Sequence, residues 1–95
     1  MKRIVVLASG SGSNLQAIID AIEAGKLQAT IAAVISDRPQ AGALERARRA
    51  GIPAVTIPLR DRRSVAARAE FDSRLAEGIT AFAPDLLVLA GWMLI

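Results

Sequence analysis

The chain has 95 residues, enough for one domain or part of one, with 53% hydrophobic residues but only 3% aromatic, so its core must be built from Ala, Val, Ile and Leu. It has no cysteine and no histidine, which excludes disulfides, thiolate metal sites and the commonest general base. The net charge is +3, but signs alternate in Glu45-Arg46 and Arg60-Asp61-Arg62 and stacking aromatics are scarce, so a solvated surface is favoured over a nucleic-acid face.

Ile4 to Ala8 is a continuous apolar run and predicts a strand buried on both faces. It ends in Ser9-Gly10-Ser11-Gly12. From Ser13 the period becomes helical, with Leu15, Ile18, Ile19 and Ile22 on one stripe. Ser13 followed by Gln16 reads as a capping box, and Gly25 as the terminator. Thr30 to Ile35 predicts a second strand, ending at Ser36-Asp37-Arg38-Pro39. Ala41 to Ala50 predicts a short helix with Leu44, Ala47 and Ala50 inward, closed by Gly51. Ala54 to Ile57 is a third, short strand stopped by Pro58. Ser64 to Phe82 predicts a longer helix with Phe71, Leu75, Ile79 and Phe82 on one face, weakened by Gly78. Pro84-Asp85 then turns the chain into Leu86 to Ala90, read as a fourth buried strand.

This alternation predicts an α/β fold: a Rossmann-like parallel sheet with crossover helices, truncated after the fourth strand. The run Ile4 to Ala8 is too short for a signal sequence, and no stretch is long enough to span a bilayer, so a cytoplasmic protein without membrane contact is expected.

The sharpest chemical feature is Ser9-Gly10-Ser11-Gly12-Ser13-Asn14-Leu15, placed between strand and helix. Glycines allow close backbone approach, and unpaired amides at a helix start favour an anion. A plain serine-glycine turn with no ligand is the competing reading. The dinucleotide fingerprint requires a small residue where Leu15 stands, which argues against NAD although Asp37 could mimic the ribose-binding acid.

Taken together, Ile4 to Ile19, Leu44-Glu45-Arg46-Ala47, Ala50-Gly51-Ile52 and Ala83-Pro84-Asp85-Leu86-Leu87-Val88-Leu89-Ala90-Gly91-Trp92-Met93 closely resemble the amino-terminal half of the phosphoribosylglycinamide formyltransferase family. The resemblance implies formyl transfer from 10-formyltetrahydrofolate, as co-substrate, to the amine of glycinamide ribonucleotide, with no metal. It makes residues 1–95 the amino-terminal part of a single formyltransferase domain. It assigns the substrate phosphate to Gly12, Ser13 and Asn14, and the edge of the folate site to Arg68, Met93, Leu94 and Ile95. Leu94 departs from the family, which commonly has Arg there, so only a backbone contact could persist at that position.

The family's catalytic Asn, His and Asp would lie beyond Ile95, so no catalytic residue is assigned and the chain alone is expected to be inactive. A complementary C-terminal half, or self-association, is the expected partner. Other readings are a related folate-dependent formyltransferase, a formyl-folate hydrolase, or a non-catalytic nucleotide-binding module. Trp92 is expected to pack, and Arg46, Arg48, Arg49, Arg60, Arg62 and Arg63 to be surface charge.

Overall fold

A computed structural model describes residues 1–94. The elements run β1 (Lys2–Leu7), α1 (Ser13–Glu23), β2 (Ala29–Ser36), α2 (Gly42–Arg49), β3 (Ala54–Thr56), α3 (Val65–Ala81) and β4 (Leu86–Leu89). The strands pair in parallel in the order β3-β2-β1-β4. Because the order reverses beside β1, the loops leaving the carboxyl ends of β1 and β4 flank a topological switch point, where such sheets bind ligands.

Both faces of the sheet centre are covered. Ile4 and Val6 of β1 meet Leu15 and Ile19 of α1 and Leu44 and Ala47 of α2. Val5 and Leu7 turn the other way, with Ile35, towards Phe71 of α3 and Trp92. This is why β1 and β2 read as unbroken apolar runs and not as alternating ones. The β1–β2 register shifts between Ile4 and Val5, which pair with Ile31 and Ala33. The extra residue in β2 resets its alternation, so Ile31 and Val34, three positions apart, lie in the same cluster.

Helix α1 ends as its sequence predicts. Gly25 takes φ 74°, its N–H reaches the Ile22 carbonyl at 3.1 Å, and the Lys26 N–H reaches Ala21 at 2.9 Å, a Schellman closure. Its start differs. The residue before the helix is Gly12, no side chain caps α1, and Ser13 is already helical, so the Ser13–Gln16 capping box does not form. The Gln16 side chain instead lies along the helix, donating to Asp20 at 2.9 Å.

Other departures follow from packing. Ala50 is exposed, because α2 ends at Arg49, and Ala43 fills the inward place. Gly78 serves a close approach: a Cβ there would stand 2.9 Å from Ile57 Cδ1. Strand β4 is apolar but not buried, with Leu86 50%, Leu87 42% and Leu89 52% exposed. It forms the sheet edge and pairs only with β1 among the described residues.

Candidate functional site

The loop between β1 and α1 is fastened on the side facing α2. The Gly10 carbonyl accepts the Ala43 N–H at 3.1 Å, and the Ser11 carbonyl accepts Arg46 Nε at 2.8 Å. Arg46 also reaches Gln16 Oε1 at 3.3 Å, tying α2 to α1 across the loop. Arg46 is therefore half-buried and structural, not the free surface charge its position in a charged helix suggests.

The amides that follow at the start of α1 are unused. The N–H groups of Ser13, Asn14 and Leu15 find no acceptor among the described residues. They stand at the positive end of α1, an arrangement suited to an anion. Ser13 and Asn14 are exposed, so their side chains are available beside those amides. Gly12 is buried at φ 82°, and a Cβ on it would lie 2.6 Å from the Ala43 Cα. Its lack of a side chain thus serves the seating of the loop on α2. Gly10 is the opposite case, exposed and with nothing within 4 Å of a built Cβ. A cleft of about 440 Å³ opens beside it, between Ser9 to Ser11 and the turn Arg38 to Gly42. Arg38, two residues past the end of β2 and exposed, puts a cation on the far side of this cleft that the charge pattern alone did not mark.

Leu15, where a dinucleotide site needs a small residue, is fully buried in the core. Asp37 does not face an open groove either. Its side chain is 3% exposed, with Oδ2 3.9 Å from Arg38 Nε and 3.8 Å from Arg62 Nη2. Its other oxygen has no hydrogen-bond partner among the described residues.

The second candidate segment follows β4. Trp92 is buried and stacks on Phe71, with ring centroids 6.3 Å apart at 16°. Arg68 lies over the same Phe71 ring at 5.9 Å, pairs with Asp72 at 3.1 Å and donates through Nη2 to the Leu94 carbonyl at 3.2 Å. Arg68 and the post-β4 segment are thus brought together. Met93 is exposed, whereas the Leu94 side chain is buried with Phe71 and Trp92. Ile95 lies outside the described residues. The Met93 N–H donates to Ser9 Oγ at 3.0 Å, so this segment also touches the start of the β1–α1 loop. Among the described residues no cluster of acidic side chains could hold a metal ion, and no helix is long and apolar enough to cross a membrane.

A parallel sheet of this order, with a glycine loop at its switch point, defines a Rossmann-like α/β domain. The chain belongs to the formyl transferase family, whose amino-terminal model matches residues 2–95. It is 48% identical over 90 residues to phosphoribosylglycinamide formyltransferase of Escherichia coli, covering 95% of this chain and 41% of that protein. Among solved structures, glycinamide ribonucleotide transformylase 1 from Symbiobacterium toebii superposes with a TM-score of 0.85 at 49% identity, covering 98% of this chain and 42% of that one. Phosphoribosylglycinamide formyltransferase from Coxiella burnetii gives a TM-score of 0.88, also at 49% identity, covering 97% and 42%. The chain thus spans less than half the length of these relatives.

Proposed function

We propose that this chain is the amino-terminal part of a single formyltransferase domain, and that it holds the phosphate of glycinamide ribonucleotide while 10-formyltetrahydrofolate supplies the formyl group. The observation that carries this reading is the row of unused amides from Ser13 to Leu15 at the start of α1, beside the exposed side chains of Ser13 and Asn14. Gly12, Ser13 and Asn14 form the phosphate seat. A formyl acceptor without a phosphate has no use for such a seat, which favours the ribonucleotide over the acceptors of other folate-dependent formyltransferases and over a formyl-folate hydrolase. The buried Leu15 and enclosed Asp37 disfavour a dinucleotide-binding module.

The folate lies along the segment after β4. Met93 presents the exposed side chain there, and its carbonyl accepts no hydrogen bond among the described residues. Leu94 offers its backbone rather than its side chain, and Arg68 orients that backbone from α3. These residues fit one edge of a folate site. They include no group that could shuttle a proton as a histidine does, so a C-terminal half completes the catalytic centre, docking beside the open edge of β4.

The test is a calorimetric titration of glycinamide ribonucleotide against its dephosphorylated riboside. Phosphate-dependent binding is expected, falling at least tenfold in Gly10→Val, whose side chain meets open space in the protein but crowds a ligand. Equal affinity for both compounds, or no loss in the variant, would overturn the assignment.

A further inference from the structure

Ser9 was not among the residues that the loop motif singled out for a ligand, yet it hydrogen-bonds the two candidate segments to each other. It is 1% exposed, a buried hydroxyl at the junction of β1 and the loop. Its N–H donates to the Gly91 carbonyl at 3.2 Å, and its Oγ accepts the Met93 N–H at 3.0 Å. One residue therefore grips both ends of the turn that carries Gly91, which sits at φ 74°. On its other side Ser9 continues into Gly10 and Ser11, whose carbonyls are held by α2. The post-β4 segment is held separately from α3, through the Phe71–Trp92 stack and the bond from Arg68 to Leu94. Each segment is thus anchored to a different face of the sheet, and Ser9 Oγ joins them through a side-chain hydrogen bond.

We propose that Ser9 is a positioning residue: its hydroxyl holds the post-β4 segment in fixed register with the phosphate loop. The proposal rests on the functional reading above for what the two segments bind, but the link itself does not. Group transfer between two bound molecules depends on their relative placement, so a register fixed by a buried hydrogen bond serves the reaction without contact with either reactant. The hydroxyl also gives the loop a route to the other segment. A phosphate that shifts Ser9 alters the acceptor of the Met93 amide directly.

Amide exchange and resonance shifts in the full chain, with inorganic phosphate as the probe, test this. The exchange rate of the Met93 amide is read relative to that of Ala90, which donates to the Leu7 carbonyl at 2.9 Å and reports general loosening of β4. In Ser9→Ala the Met93 rate is expected to rise about tenfold relative to Ala90, with Ser9→Cys, which keeps the size and a weak acceptor, in between. Phosphate is expected to move the Met93 resonance in the parent and not in Ser9→Ala, while its affinity for the loop changes less than threefold. An unchanged exchange ratio in both variants, or a Met93 response to phosphate that survives Ser9→Ala, overturns the proposal. If the parent binds no phosphate, the functional reading falls, and the exchange ratio still decides for or against the Ser9 link. Should Ser9→Ala not fold, Ser9→Cys carries the same comparison.

Discussion

Gly12 is held by constraints that owe nothing to a ligand: a left-handed backbone at φ 82° and the Ala43 backbone 2.6 Å from where a Cβ would stand. Gly12→Val is therefore expected to destabilise the chain by about 3 kcal/mol or more, through backbone strain and displacement of α2. Denaturant melts measure this; a variant as stable as the parent would show that the loop is free to move from α2. Gly10→Val is expected to leave stability within about 0.5 kcal/mol, so it separates ligand approach from folding where Gly12→Val cannot. The sequence marked the glycine loop but could not distinguish these glycines, because the difference lies in a helix starting thirty residues later. Arg46 was hidden for the same reason. In its own segment it is one charge among several on α2, and only the approach of Ser11 and Gln16 reveals its role. Ser13 was legible as a polar residue at a helix start, but the capping geometry was not, since the chain enters α1 through a glycine with positive φ.

Among elements, α3 carries the face opposite α1 and α2. Its apolar positions Phe71, Leu75 and Ile79 were readable from spacing, and they do pack on the sheet. Phe71 also supports Trp92 and Arg68, so Phe71→Ala is expected to cost about 3–5 kcal/mol and to release the post-β4 segment. Near-ultraviolet dichroism of the single Trp reports that release; an unaltered Trp signal in a folded variant would contradict it. The helix ends with Ala83 at φ 47°, a left-handed conformation that glycine adopts without a steric cost. Ala83→Gly is expected to raise stability by about 0.5 kcal/mol, the relief of strain outweighing the added freedom of the unfolded chain. A lower melting temperature in that variant would contradict the balance. Pro84-Asp85 was legible as a turn, but not as a staple. The Asp85 carboxylate accepts the Arg3 N–H at 2.8 Å and the Asp85 N–H returns to the Arg3 carbonyl at 2.8 Å, fixing where β4 enters the sheet.

At the scale of the whole molecule, the sheet is well covered at β1 and β2 and open at β4. Alternation of strands and helices made the parallel sheet legible, but the apolar composition of β4 suggested burial that these residues do not provide. Leu86, Leu87 and Leu89 instead form a half-exposed apolar edge with no lysine or proline to protect it. Covering such a surface contributes about 25 cal/mol per Å², which is significant against the small net stability of a domain this size. Sedimentation is expected to show self-association that Leu87→Lys weakens; a strictly monomeric parent that gains no stability from a complementary half would contradict this account of the edge.

Under the proposed function, this chain supplies the phosphate seat and one edge of the folate site, and a C-terminal half completes formyl transfer. The most direct measurement is formyl transfer from 10-formyltetrahydrofolate to glycinamide ribonucleotide, by the pure chain and by the chain titrated with a complementary C-terminal half. Neither piece alone is expected to turn over above the uncatalysed rate, and turnover is expected to saturate as the halves combine. Turnover by the chain alone would contradict the proposed function, as would a combined assembly in which transfer is indifferent to Gly10→Val.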